Sequence, residues 1–321
     1  MSDILVTEQI AGREMDALQS AFNVVYEPEL WKAPDRIKQI LPEFCAIIVR
    51  NQTPVNADLI GAGRKLEVIG RAGVGLDNVD AKTASDAGIV VVYAPEQNSI
   101  SVAELALGLM LSLAREIPAA DRSTKGGAWD RKRFTGIELF GKTLGVVGLG
   151  RIGFLTAMRA RAFGMNIIAH DTFVNPDSFM VNEPRAKLVS LEELYRESDF
   201  ISSHVPETPQ TINMFNDAAF AQMKRSAYFI NTSRGKVVDE DALIRALRDK
   251  RIAGAALDVR AKEPPGGSPL NEMDNVILLP HIAAFTHEGQ GRVVTSVCKD
   301  IAAVLKGEAA KNFFNFPRPK R

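Results

Sequence analysis

The chain has 321 residues, 46% of them hydrophobic and 24% charged, with 39 Lys plus Arg against 39 Asp plus Glu. A formal charge of zero gives no global attraction to nucleic acid or to an anionic membrane surface, and this length suits two globular domains with sizeable cores. MSDILVTEQI lacks a basic segment followed by an apolar core, no apolar run approaches the roughly eighteen residues of a membrane span, and Cys45 and Cys298 stand far apart outside any CxxC; a cytoplasmic protein without a disulfide framework or a metal site is expected.

Short β-type runs alternate with amphipathic helical stretches along the whole chain, the pattern of parallel sheets covered by helices. In the first hundred residues DILVT, FNVVY, FCAIIVR, LEVIGRAG and GIVVVYAP read as strands, with GREMDALQSAF and NADLIGAGRKL as helices between them. SVAELALGLMLSLAREI, at 101–117, reads as one long apolar helix buried between layers or domains. A second series begins at Gly141 with TLGVVGLG, NIIAHD, AKLVS, DFISSHVP, AYFINTS, AGAALDV and NVILLP, separated by helices such as LEELYRES and DEDALIRALRDK. The last helix, 286–307, follows the completed second sheet and is free to return to the first. The expected fold is α/β: two Rossmann-like or flavodoxin-like domains with parallel sheets, residues 99–284 being inserted into an outer domain of 1–98 and 285–321.

Gly148, Gly150 and Gly153 form GxGxxG between the strand TLGVV and a helix whose Leu155, Met158, Ala162 and Phe163 are expected to share one apolar face. Gly148 permits a tight turn, Gly150 lets backbone approach a pyrophosphate, Gly153 lets helix and strand pack closely, and the helix N-terminus offers N–H groups to the anion. Eighteen residues on, Asp171 ends NIIAHD, where a carboxylate can accept from an adenosine ribose. Asp171 would repel a 2′-phosphate and the following TFVN supplies no arginine, so the pattern favours NAD over NADP. The competing reading is a plain glycine turn followed by a capping carboxylate.

Moving hydrogen between a carbinol and a nicotinamide calls for a proton partner near neutrality, and four histidines are available. His170 precedes the ribose acid, His287 lies in the final helix, and His204 ends a strand. His281, after NVILLP at the end of the last strand with small residues behind it, is best placed. Arg234, in the turn NTSRG, could grip a carboxylate bidentately. LDVRAKEPP delivers Asp258 and Glu263, either of which could hydrogen-bond the imidazole and raise its pKa.

GLGRIG, NTSRGKVVDE, ALDV…EPP and PHIAA, in this order and spacing, resemble the D-2-hydroxyacid dehydrogenases. IIVRNQT, VIGRAGVGLDNVD, NSISVAELALGLMLSLAREIP and WDRKRFTGIEL extend the resemblance over nearly the whole chain, toward members that oxidise 3-phosphoglycerate in serine biosynthesis. The resemblance implies an NAD-binding domain over 99–284 and a substrate-binding domain in the rest. It implies that His281 is the acid/base, Glu263 its orienting carboxylate and Arg234 the group on the substrate carboxylate and carbonyl. Arg151 and Ile152 would meet the pyrophosphate, Asp171 the ribose, and Val205, Thr232, Asp258 and Ala284 the rest of the cofactor. Val74 and Gly75 would offer N–H groups to the substrate carboxylate, Arg50 and Arg71 would face its distal anion, and the basic residues 131–133 would come from the neighbouring subunit of a homodimer joined through the NAD-binding domain. The bulky Phe285 departs from the small residues common at that position. The chain stops at Arg321, about where the catalytic core of such enzymes ends, so no regulatory domain is expected. Alternatives are the same chemistry on glyoxylate, hydroxypyruvate or sulfolactate, and a corepressor-like protein that senses NAD.

Overall fold

The computed structural model describes residues 3–320. The chain divides into two compact units, Met1–Asn98 with Phe285–Arg321, and Ser99–Ala284, the second inserted into the sequence of the first.

The first unit is built on five parallel strands, β1 (Asp3–Val6), β2 (Asn23–Tyr26), β3 (Ala46–Val49), β4 (Val68–Arg71) and β5 (Val90–Val92), in the order β2-β1-β3-β4-β5. Helices cover both faces, which is why the strands are apolar without alternation. Successive side chains nonetheless point to opposite sides: Ile4, Val6, Ala46 and Ile48 enter one core, whereas Leu5, Ile47 and Val49 enter the other. The helix His287–Leu305 returns from the far end of the chain to close the first core with Val293, Val297, Ile301 and Val304. Burial of each such side chain is worth about 1.5–3 kcal/mol, enough to hold this late segment on the early sheet.

Seven parallel strands make the second unit: β6 (Thr143–Val147), β7 (Asn166–His170), β8 (Lys187–Leu188), β9 (Phe200–Ser203), β10 (Tyr228–Asn231), β11 (Gly254–Leu257) and β12 (Val276–Leu278). Their order, β12-β11-β10-β9-β6-β7-β8, reverses direction between β6 and β9. At such a reversal the loops leaving the carboxyl ends of the two strands diverge, and the crevice between them takes ligands.

Two local expectations are corrected. The apolar stretch 101–117 is not one helix: Ser99–Ala114 ends before Glu116, whose φ is 49°, and Ile117–Lys125 begins anew. Pro118 lacks an N–H and is tolerated in the first turn of a helix, so the chain restarts just ahead of it. In the helix Arg151–Ala162 the buried face is Gly153, Thr156, Ala157 and Ala160, while Phe163 is exposed and Leu155 and Met158 are only partly covered. A Cβ on Gly153 would lie 2.1 Å from the Gly148 carbonyl oxygen. A helix packed that closely on its strand presents small residues inward and turns its large ones out.

Candidate active site

β6 ends where the strand order reverses. There Gly148 takes φ 90°, a left-handed conformation suited to glycine, and its N–H donates to the His170 carbonyl at 2.9 Å. Gly150 precedes Arg151 and Ile152, the first turn of a helix with no side-chain cap, and no atom lies within 4 Å of the place a Gly150 Cβ would occupy. Open backbone at an uncapped N-terminus suits a phosphate. Asp171, just past β7, accepts from Leu149 N at 2.8 Å through Oδ2, and from Phe173 N and Val174 N at 2.8 and 3.1 Å through Oδ1. Its carboxylate thus ties the glycine turn to the loop after β7. Beyond β9 and β10, His204 Nδ1 and Thr232 Oγ1 are buried polar atoms without a hydrogen-bond partner among the described residues. His204 and Val205 border the turn, since a Cβ on Gly148 would stand 3.0 Å from atoms of both. Buried polar atoms left unmatched at these strand ends are what a polar ligand lying across them would satisfy.

His281 follows β12 with φ 57°, a left-handed position that costs a residue with a Cβ on the order of 1–3 kcal/mol and that collects at active sites. Asp258 imposes it. The Asp258 carbonyl accepts from His281 N at 2.8 Å, and its buried carboxylate accepts from Ile282 N at 2.8 Å and Ala283 N at 2.9 Å. Of the two carboxylates that LDVRAKEPP offers, Asp258 therefore shapes the turn and Glu263 meets the ring. Glu263 Oε2 lies 2.6 Å from His281 Nδ1, and Oε1 accepts from Arg260 N at 2.9 Å. The hydrogen bond to Glu263 holds the imidazole above its ordinary pKa against partial burial, helped by the Glu263 and Asp258 charges and opposed by Arg234. Burial alone would raise the Glu263 carboxyl, but the bonds from His281 and Arg260 N, with the His281 and Arg234 charges, hold it below the usual carboxylate range. With Nδ1–H directed at a carboxylate, the lone pair is assigned to Nε2, and the side chain is 47% exposed.

Arg234 leaves the end of β10. Buried Asn231 shapes its turn, Oδ1 accepting from Ser233 N and Ser233 Oγ while Nδ2 donates to the Arg234 carbonyl. Arg234 Nη1 donates to the Ser233 carbonyl at 2.8 Å. A Cβ on Gly235 would fall 1.9 Å from the Arg260 carbonyl oxygen, so only glycine lets this turn lie against the loop that carries Glu263. Arg234, Glu263 and His281 thus gather at the carboxyl ends of β10, β11 and β12. Ala284 lies three residues beyond His281, at the end of this unit.

The other three histidines have different surroundings. His170 Nδ1 meets the Val189 carbonyl. His204 is buried, with Nε2 at 2.9 Å from Ser202 Oγ, and desolvation lowers it to about 4, so it stays neutral. His287 opens the final helix.

In the first unit Arg50 and Arg71 stand at the ends of β3 and β4. Arg50 donates to the Gln9 carbonyl and to Gln290 Oε1, and its guanidinium lies 5.2 Å from the centre of the Phe285 ring. It borders a cavity of about 190 Å³ with Gln9, Ile10, Ala72, Gln290 and Val294. The Arg71 side chain folds over Gly73, and Val74 and Gly75 continue that loop, their N–H groups making no hydrogen bond among the described residues. Sequence reasoning missed Glu8, whose buried carboxylate accepts from Arg50 N, Gln52 N and Thr53 N at 2.8, 3.1 and 2.9 Å. It missed Gln290 as well. A carboxylate just past an apolar strand was the only signal for Glu8; its partners lie more than forty residues away. Residues 131–133 are exposed, with the Arg133 guanidinium over Phe134. Among the described residues no group of His, Cys, Asp and Glu could hold a metal ion, and no helix is long and apolar enough to cross a membrane.

Residues 107–283 match the family model of the D-isomer specific 2-hydroxyacid dehydrogenase, NAD binding domain. A D-3-phosphoglycerate dehydrogenase from Synechocystis sp. is 45% identical over 317 residues, which cover 99% of this chain and 56% of that one. The TT0316 protein from Thermus thermophilus superposes with a TM-score of 0.90 at 33% identity, over 97% of this chain and 99% of that one. D-lactate dehydrogenase from Aquifex aeolicus, complexed with NAD and lactic acid, gives 0.84 at 30% identity, over 98% and 99%. The chain belongs to the D-isomer specific 2-hydroxyacid dehydrogenase family and carries its NAD-binding domain. It spans less than two thirds of the length of the curated relatives it matches.

Proposed function

We propose that the protein is an NAD-dependent dehydrogenase that converts a D-2-hydroxy acid to its 2-keto acid or the reverse, with 3-phosphoglycerate, oxidised to 3-phosphohydroxypyruvate, as its substrate in serine biosynthesis. The observation that carries the reaction is the His281–Glu263 pair with Arg234 beside it. The substrate comes from the curated relatives, named D-3-phosphoglycerate dehydrogenase.

Bound NAD supplies the acceptor for the hydrogen and electron pair leaving the substrate carbon. Gly148, Gly150, Arg151, Ile152 and Gly153 hold its pyrophosphate, Asp171 its ribose, and Val205, Thr232, Asp258 and Ala284 the remainder. His281 Nε2 takes the hydroxyl proton as the carbonyl forms, and Glu263 stabilises the resulting imidazolium. Arg234 binds the substrate carboxylate in a fork and polarises the oxygen that becomes the carbonyl. We assign Val74 and Gly75 N–H to the same carboxylate, and Arg50 and Arg71 to the distal phosphate. The protein is read as a homodimer through its NAD-binding domain, with residues 131–133 reaching the partner's phosphate. Two cysteines left as free thiols and an NAD-linked reaction suit the cytoplasm.

The Phe285 ring on Arg50 favours a second reading, the same oxidation on an acid with a smaller distal group or none. Steady-state assays with NAD over 3-phosphoglycerate, glycerate, glycolate and sulfolactate, in wild type and His281→Gln, test both. The substitution is expected to remove at least 100-fold of the turnover while NADH still binds. Retained turnover would end the assignment of His281, and a preference for glycerate or glycolate would end that of the phosphate.

A further inference from the structure

Residues 261–267, which include Glu263, are all exposed, and buried anchors lie only at the two ends, Arg260 and Leu270. Behind this loop is a cavity of about 440 Å³ bordered by Asn213, Ile244, Lys262, Pro265, Gly267 and Pro269, so side-chain packing does not hold it from that side. What holds it is polar. The Arg260 side chain, 6% exposed, forks onto Glu240, with Nε donating to Oε1 at 3.1 Å and Nη2 to Oε2 at 2.8 Å. Glu240 Oε1 also accepts from Ala261 N at 2.7 Å. Glu240 is the first residue of the helix Glu240–Arg248, a fixed element of the unit's core. The peptide of Arg260 then carries the geometry forward, its N–H donating to Glu263 Oε1 while Glu263 Oε2 faces His281.

We infer that Glu240 and Arg260 are positioning residues for the acid/base: their fork, buried on the Arg260 side, fixes the backbone N–H that aims Glu263 at His281. Neither touches the imidazole. A planar fork suits this role because two parallel hydrogen bonds fix orientation as well as distance, which a lysine ammonium does not. Glu263 keeps one oxygen for the anchored peptide and the other for the ring. Loosening Arg260 therefore lets the carboxylate rotate into solvent without removing it. The inference rests on the reading of His281 as the acid/base only for its effect on turnover; the geometry it asserts can be measured without any reaction.

The experiment is an NMR titration of the imidazole C–H signals in the full chain, which has four histidines. Wild type is compared with Arg260→Met, Arg260→Lys, the double variant Glu240→Gln/Arg260→Met, and Glu263→Gln as reference. The double variant removes both charges, so no buried ion is left without its partner if the single substitution fails to fold. The buried, neutral His204 reports an intact fold. In Arg260→Met and the double variant the His281 midpoint is expected to fall by about one pH unit, toward that of Glu263→Gln, with Arg260→Lys between. Turnover is expected to drop at least tenfold with KM for NAD unchanged. A His281 midpoint equal to wild type in both Arg260→Met and the double variant, with His204 undisturbed, overturns the inference, even if thermal stability is lost. A lowered midpoint with unchanged turnover upholds the geometry and counts instead against His281 as the acid/base.

Discussion

Both units use a carboxylate to organise the place where their strand order reverses, and they put it to different ends. In the first, Glu8 follows β1 and accepts three backbone N–H groups from the loop after β3. In the second, Asp171 follows β7 and also accepts three, one from the glycine turn and two from its own loop. Glu8 is 4% exposed and wholly occupied by structure, and the group it presents is the side chain of Arg50. Asp171 is only partly buried, and the group it steadies is bare backbone at a helix N-terminus. The same sheet geometry thus offers a guanidinium in one unit and peptide dipoles in the other. A cation on a long side chain suits a variable distal group. A rigid set of N–H groups suits a pyrophosphate that is the same in every turnover.

Removing each carboxylate sharpens that contrast. Glu8→Ala is expected to have the larger effect on folding, because three backbone N–H groups, that of Thr53 buried and the other two partly covered, lose their acceptor at about 1–3 kcal/mol for each left unsatisfied, less whatever water restores. Chemical denaturation should show the loss, and KM for a substrate with a distal anion should rise as Arg50 loses its loop. Asp171→Ala is expected to cost about 1 kcal/mol of stability or less, since solvent can replace its bonds, yet to weaken NADH by about 10–100-fold through loss of a charged acceptor. Fluorescence titration with NADH and NADPH checks this, and discrimination between the two should narrow as the carboxylate that repels a 2′-phosphate goes. Equal losses of NADH affinity in the two variants would break the contrast between a structural and a ligand-facing carboxylate.

Strand positions were legible throughout, because parallel strands covered on both faces must be apolar runs and helices must separate them. The glycine turn, Asp171, Arg234 and His281 were legible for the same reason: each stands where a strand run stops. Short helices such as Pro34–Ile40, Ala81–Asp86 and Asp217–Gln222 were not, being two turns or fewer, with too few residues to display a period. The inward face of Arg151–Ala162 was misread because close packing, which the glycines themselves signal, selects small residues over large ones. Spacing and residue type left the choice between Asp258 and Glu263 open, and only the resemblance pointed to Glu263. Both fall in one loop, and only the left-handed backbone at His281 turns the ring away from the first and toward the second. Glu8, Gln290 and the Glu240–Arg260 fork act across long sequence separations, where spacing carries no information.

The most direct test of the central claim, that Glu263 tunes the imidazole which takes the proton, is kcat/KM for oxidation against pH in wild type and Glu263→Gln. His281 must be neutral to accept the proton, and the hydrogen bond to Glu263 holds its pKa above the ordinary imidazole value. Wild-type activity should therefore fall as pH drops through a midpoint above that value. In Glu263→Gln the leading cause of the rise is gone, so the acid limb should move to lower pH while the plateau drops. An acid limb at the same pH in both proteins, or one displaced upward in the variant, would contradict the account.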